Sequence, residues 1–112
     1  MENAANDYSK ENLYKLLHDS HEPDVISKTL LYITFNINDI DWAEDCCLSL
    51  IDNDNEDISG LAITCLGHIA RIHSRINKGK VIPVLIEKRK NLNLSGRVED
   101  ALDDIIFFAK NN

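Results

Sequence analysis

Apolar residues recur at spacings of three and four along most of the chain, which is the period of an α-helix with one buried face. The pattern predicts five or six helices, over about residues 10–19, 23–37, 41–51, 58–76, 80–90 and 98–109. Residues 30–37, LLYITFNI, also suit a strand, because β-branched and aromatic residues are common in strands. We favour a helix there, since no other segment offers this run a strand partner. The expected fold class is all-α.

Several residues mark where these helices begin. Ser9 is placed to cap the first helix, and Pro23 to occupy the first turn of the second. Asp41 and Glu44 have the spacing of a capping box, so we expect the third helix to open there. Pro83 is expected in the first turn of the fifth helix.

The segment 58–76 differs from the others because it has almost no polar face. One side carries Ile58, Leu61, Ala62, Cys65, Leu66, Ile69 and Ile72, and the other carries Gly60, Ile63, Thr64, Gly67 and Ala70. A helix that is apolar or small on every side is buried between neighbours. Glycine inside a helix costs about 1 kcal/mol relative to alanine, so Gly67 indicates close approach of another backbone. The pattern therefore predicts stacked helices with layers on both sides of this segment.

A weak internal repeat supports this stacking. The third and fourth helices resemble the fifth and sixth at an offset of about 40 residues, which is within the range of HEAT-type two-helix repeats. The matching apolar positions are Ile58, Leu61, Ala62, Cys65 and Leu66 against Val98, Ala101, Leu102, Ile105 and Ile106. We expect a short HEAT-like α-solenoid that forms a single domain over residues 9–112, after a flexible lead-in over residues 1–8.

Charge is distributed unevenly along the chain, whose formal net charge is −7. No lysine or arginine occurs between Lys28 and Arg71, and the acids of that interval form a block over residues 39–57. The segment from Arg71 to Arg97 is mainly basic. The overall acidic balance argues against nucleic acid as a partner, because phosphate binding needs a basic surface. The acidic block suits a basic protein partner, although it also suits a solvated face with no partner.

The chain has three cysteines, Cys46, Cys47 and Cys65, all within helical patterns. Free, buried thiols fit a reducing cytosol. No apolar run approaches the roughly 18 residues of a membrane-spanning helix, and the polar N-terminus does not resemble a secretory signal. We expect a cytoplasmic protein that does not bind a membrane.

Side chains with catalytic or metal-binding chemistry do not occur at productive spacings. The four histidines and three cysteines lack the spacing of a metal site, and Cys65 near His68 is more simply explained as core. Paired carboxylates on the sixth helix are more simply explained as ion-pair partners than as hydrolytic groups. We expect no catalysis, no cofactor and no bound metal. A structural network between the fourth and sixth helices is predicted instead, with direct partner binding as the alternative; its residues are His68, Arg71, Arg97, Asp100, Asp103 and Asp104.

Two runs of residues resemble a known bacterial family. They are DISGLA with CLGHIARIH over residues 57–73, and VIPVL with GRVEDALDDI over residues 81–105. Together they are similar to small HEAT-like proteins that include immunity proteins of contact-dependent growth inhibition and related polymorphic toxin systems. The resemblance covers about residues 42–107, and the first forty residues do not contribute to it.

The resemblance implies a bacterial cytoplasmic protein that binds the C-terminal toxin domain of a CdiA effector one-to-one. Such toxins are often nucleases, and a ribonuclease is favoured here. An acidic surface would cover the basic groove of the nuclease. The expected toxin-binding residues are Trp42, Glu44, Asp45, Asp52, Asp54, Glu56 and Asp57. Trp42 is either an aromatic anchor or core, and the alternative function is a HEAT-like adaptor that joins two proteins without a toxin.

Overall fold

The computed structural model describes residues 8–110, and these residues form six α-helices and no β-strand. The helices are α1 (Lys10–Asp19), α2 (Pro23–Asn36), α3 (Ile40–Leu50), α4 (Glu56–His73), α5 (Lys78–Lys88) and α6 (Ser95–Phe108). The all-α fold class is therefore confirmed. The predicted lead-in lies outside the described residues, except for Tyr8.

Local sequence signals account for most helix starts. The Ser9 hydroxyl accepts a hydrogen bond from the Asn12 backbone N–H, and Pro23 opens α2, as predicted. The run that also suited a strand is helical. Its buried threonine at position 34 donates its hydroxyl to the Leu30 carbonyl oxygen at 2.8 Å, which satisfies the polar group inside the helix.

The caps of α3 and α5 differ from the prediction, and α4 and α6 begin two and three residues earlier than predicted. The N-cap of α3 is Asp39, whose carboxylate accepts from the Trp42 backbone N–H at 3.1 Å, so Asp41 lies in the first turn instead of capping it. The helix α5 is capped by Asn77 and begins two residues earlier than expected, which places Pro83 in the helix interior. Both cap differences arise because an earlier Asp or Asn side chain supplies the cap.

The helix α4 lies at the centre of the molecule. It packs most extensively on α6 and also on α3 and α2, and ten of its 18 residues are buried. One core cluster extends from Leu13 on α1 to Ala109 after α6. The burial that the sequence predicted is confirmed for most of residues 58–70. It is wrong for the last turn, where Ile72, a member of the predicted apolar side, is 45 % exposed.

The helices α1, α3 and α5 form one row of the structure, which we call the first row. Lys80 on α5 pairs with Asp45 on α3, and Lys88 pairs with Asp52 near the end of α3. Because the earlier acid meets the earlier lysine, α3 and α5 run in the same direction.

The helices α2, α4 and α6 form the second row. The Arg97 side chain of α6 lies against Gly60 of α4, and the Arg71 guanidinium of α4 lies 5.4 Å from the centre of the Phe108 ring. In both pairs the α6 residue follows its α4 partner by 37 residues. Because this offset stays the same along the two helices, α4 and α6 run in the same direction. Successive helix pairs are thus stacked side by side, while the classification of these pairs as HEAT-type repeats stays a prediction.

Within the described part of the chain, no helix is both long and apolar enough to cross a membrane.

Candidate functional site

The predicted acidic surface of α3 is partly neutralised by α5. Asp45 and Asp52 are exposed, but each forms an ion pair with a lysine of the neighbouring helix, Lys80 and Lys88 respectively. The bond from Asp45 raises the pKa of Lys80, as expected when a cation gains an anionic partner. These two carboxylates therefore contribute less free negative charge to a partner than their number in the sequence suggests.

Glu44 does not belong to the exposed acidic surface. Its side chain is only 2 % exposed, and its carboxylate accepts a hydrogen bond from the Asn77 backbone N–H at 2.8 Å. Burial raises the pKa of Glu44, while the Asn77 bond and the nearby Lys80 charge act in the opposite direction. The prediction that Glu44 contacts a toxin is corrected, because this carboxylate faces the N-terminus of α5 and holds α3 to it.

Trp42 is half-buried and packs against the core cluster. The Lys10 ammonium lies 5.5 Å from the centre of its ring, within the range of a cation–π contact. Its role as an aromatic anchor for a toxin stays a prediction.

The segment 52–57 comprises the loop between α3 and α4 and the first two residues of α4. It carries the acids that are most available to a partner, and we call it the acidic loop. Asp54 and Asp57 are exposed and form no ion pair with the described part of the chain. Glu56 accepts hydrogen bonds from the side-chain amides of Asn91 and Asn93 at 2.9 and 3.1 Å. These bonds join the acidic loop to the turn between α5 and α6, so they hold the loop in a defined position.

The predicted network between α4 and α6 is not formed. Its six members make no ion pair with one another, and Arg97 instead donates to the Thr64 hydroxyl at 2.9 Å. A Cβ at Gly67 would lie 3.1 Å from the Ala101 Cα, so the backbones of α4 and α6 are in close contact at that level. Asp100 and Asp103 are exposed, and Asp104 is half-buried beside Gly67.

The other two members of that network contact aromatic rings. The His68 ring lies 5.3 Å from the Phe35 ring of α2, and Arg71 lies over Phe108. Phe107 in turn contacts Phe108 edge-on, with ring centres 5.0 Å apart. We call these five residues the aromatic face. They lie on the outer side of the second row and extend across all three of its helices.

Two exposed members of this face were missed by the sequence analysis. Phe35 is 52 % exposed and Phe107 is 72 % exposed, although both are large and apolar. The available signal was their spacing: each follows a buried residue, Ile33 or Ile105, by two positions and so lies on the opposite side of its helix.

The three thiols are free and buried in the core. Burial raises the pKa of Cys46 to about 12, and a hydrogen bond to Cys65, together with burial, raises the pKa of Cys47. Cys65 therefore faces Cys47, while His68 faces Phe35. Among the described residues no group of three or more His, Cys, Asp or Glu side chains is placed to hold a metal ion.

Comparison with known proteins gives no match to a family model, to a curated protein or to a solved structure.

Proposed function

We propose that this chain is a bacterial cytoplasmic immunity protein of the contact-dependent growth inhibition type. It binds the C-terminal toxin domain of its cognate CdiA effector one-to-one and covers the active site or nucleic-acid groove of that domain. The favoured toxin activity is that of a ribonuclease. The observation that carries the proposal is the acidic loop, whose exposed Asp54 and Asp57 have no internal cationic partner in the described part of the chain.

Charge complementarity links this loop to a nuclease. A nuclease is basic where it holds phosphates, so exposed carboxylates attract and orient that surface. The acids that α5 neutralises contribute less to this field, which leaves Asp54 and Asp57 as the principal contacts of the block.

The fixed position of the acidic loop also supports inhibition by tight binding. Glu56 is held by Asn91 and Asn93, so the loop loses little conformational freedom when a partner binds. The stacked helix pairs provide a rigid scaffold, and the HEAT-like character implied by the family resemblance is part of this proposal.

Reversing the charge of the acidic loop tests the proposal. The variant Asp54→Lys/Asp57→Lys is expected to bind the toxin domain encoded directly upstream at least about 10-fold more weakly, because two carboxylates facing a basic groove are replaced by cations. Glu56 is left intact because it holds the loop. Isothermal titration calorimetry measures the affinity, and growth of cells that express the toxin measures protection.

The matched control is Glu11→Lys/Asp24→Lys, which changes the net charge equally at the first turns of α1 and α2. It is expected to retain nearly full affinity and protection. Equal loss in both variants would show that only the overall charge matters, and unchanged affinity in the first would place the interface elsewhere, including on the basic α5. If the wild-type protein neither binds nor protects against that domain, the immunity function is wrong and the adaptor alternative replaces it.

A further inference from the structure

Two of the three cysteines face each other across the interface of α3 and α4. Cys47 and Cys65 are both completely buried, and their side chains form a hydrogen bond with each other. The Thr34 side chain of α2 forms hydrogen bonds with both sulfurs. A pair of thiols in direct contact therefore lies in the core where three helices meet, and neither the acidic loop nor the aromatic face includes it.

The packing of α3 on α4 accounts for this pairing. The Ser59 hydroxyl near the start of α4 donates to the Ile51 carbonyl oxygen at 2.6 Å, so the end of α3 meets the start of α4. From this contact, at the rise per residue of an α-helix, Cys47 lies about 6 Å back along α3 and Cys65 about 9 Å forward along α4. The two thiols therefore lie at nearly the same level of two antiparallel helices that pack against each other.

Cys46, the sequence neighbour of Cys47, points to a different side of α3. Successive residues of a helix are turned by about 100° about its axis. Besides its burial, the groups that shift the pKa of Cys46 are Asp45 and Lys10 of α1. Cys46 therefore shares the helix and the burial of Cys47 but faces the first row, which makes it an internal control for the contact with Cys65.

We propose that Cys47 and Cys65 form a redox-sensitive lock, in which hydrogen peroxide converts the two thiols into a disulfide that joins α3 to α4. This inference does not depend on the proposed function. The cross-link closes a loop of chain that contains the acidic loop. Because a disulfide stabilises a fold mainly by restricting the unfolded chain, the oxidised protein keeps α3 and α4 together under conditions that unfold the reduced protein.

The hydrogen bond between the thiols sets the order of the two steps. It lowers the pKa of Cys65 and raises that of Cys47, so Cys65 is the better nucleophile. The Cys65 sulfur attacks one peroxide oxygen, the O–O bond breaks, and a sulfenic acid and one water form. The Cys47 sulfur then attacks the sulfenic sulfur, the S–S bond forms, the S–O bond breaks, and a second water leaves. Overall, two thiols lose two electrons and two protons, and the peroxide is reduced to two waters.

Burial selects the oxidant. Glutathione disulfide is too large to approach sulfur atoms of residues that are 0 % exposed, whereas hydrogen peroxide is close to water in size. A brief local opening of the helix pair is enough to admit so small a molecule. The same burial protects the disulfide from bulky thiols once it has formed.

The first test counts thiols after oxidation of the folded protein. The wild type is treated with hydrogen peroxide in native buffer and then unfolded with N-ethylmaleimide present, so that mass spectrometry counts the remaining thiols. We expect the count to fall from three to one, with the chain still monomeric on a non-reducing gel and all thiols restored by dithiothreitol. Three remaining thiols, a loss that dithiothreitol does not reverse, or a disulfide between two chains would overturn the inference.

The second test identifies the two sulfurs. Cys47→Ala and Cys65→Ala should form no disulfide, whereas the matched control Cys46→Ala should lose both of its remaining thiols as fast as the wild type loses two. Fragment spectra of the oxidised wild type, which separate Cys46 from Cys47, give the same assignment without relying on how well the variants fold. A bond from Cys46 to Cys65 in the folded protein would overturn the inference.

Oxidation of the urea-unfolded wild type shows whether the fold selects the pair. In the unfolded chain we expect a mixture of bonds from Cys46 and from Cys47, because no packing favours either thiol. The same mixture from the folded protein would show that the bonds form only in unfolded chains, and it would overturn the inference.

The last measurement concerns the lock itself. The urea midpoint of the oxidised wild type is expected to lie at least about 1 M above that of the reduced protein, and Cys46→Ala should show the same shift. Equal midpoints for the oxidised and reduced wild type would overturn the inference, because the bond would then not hold α3 to α4.

Discussion

At the scale of single residues, the same chemical group serves different purposes according to where α3 places it. Glu44 and Asp45 are neighbours in the sequence, yet one is buried and the other is exposed. The buried carboxylate accepts the Asn77 backbone N–H at the start of α5, and the exposed one pairs with Lys80. A charge that is removed from water must gain compensating bonds, and here one backbone N–H is its principal partner.

This arrangement predicts a distinctive pH dependence. Because burial raises the pKa of Glu44 above its unfolded value, the folded state binds the proton more tightly than the unfolded state. The resulting stabilisation is complete below the unfolded pKa and is lost as the pH rises through the folded pKa. We therefore expect the wild type to gain stability relative to Glu44→Gln as the pH falls from neutral.

Urea unfolding of both proteins across this pH range measures the difference in their free energies of unfolding. Glu87→Gln, at an exposed position on α5, is the matched control and should follow the wild type. Parallel curves for the wild type and Glu44→Gln would contradict the prediction.

At the scale of helices, the contact of α4 with α6 depends on two glycines that face different neighbours. A Cβ at Gly67 would lie 3.1 Å from the Ala101 Cα, which belongs to the backbone of α6. A Cβ at Gly60 would lie 2.7 Å from the Arg97 Cδ, which belongs to a flexible and exposed side chain. The first neighbour can yield only if the two helices separate, whereas the second can change its rotamer.

The two alanine substitutions should therefore have different effects. Gly67→Ala is expected to lower the free energy of unfolding by about 1–3 kcal/mol, since overpacking outweighs the roughly 1 kcal/mol that alanine gains in helix propensity. Gly60→Ala is expected to be neutral or to raise stability by up to about 1 kcal/mol. Urea denaturation of both variants checks this, and equal destabilisation would show that both glycines are limited by backbone contact.

At the scale of the whole molecule, α4 connects the helix pairs into one cooperative unit. It contacts α2, α3 and α6, and the core cluster includes residues from all six helices. Because the helix pairs share α4, one pair should not unfold while the others stay folded. In longer solenoids, by contrast, individual repeats can unfold separately.

We therefore expect a single two-state unfolding transition. Trp42 is the only tryptophan, and its fluorescence reports on α3 and its contact with α1, whereas far-UV circular dichroism reports on all the helices. The urea midpoints from the two signals should coincide. Separate midpoints would show that the first helices and the α5–α6 pair unfold independently.

The fold class, the central place of α4 and the starts of α1 and α2 were determined by the sequence, because they depend on local or one-dimensional signals. Ser9 and Pro23 act within one turn of their own helix, and the missing polar face of segment 58–76 requires burial wherever that segment lies. The close approach at Gly67 also followed from composition alone and is confirmed by the Ala101 contact.

The choice of polar partners was decided only by the tertiary structure. Asp45 and Asp52 meet lysines 35 and 36 residues away, which periodicity within a helix does not determine. The predicted Arg71–Asp104 network fails although α4 and α6 do pack together, because ion pairing depends on the distance and rotation of the two helices at each level. An ion pair or hydrogen bond forms only when the two side chains lie within a few ångströms of each other. That distance is set by how the core packs across the whole stack. For the same reason the acidic loop was recognised from the sequence, whereas the aromatic face appeared only after α2, α4 and α6 were brought together.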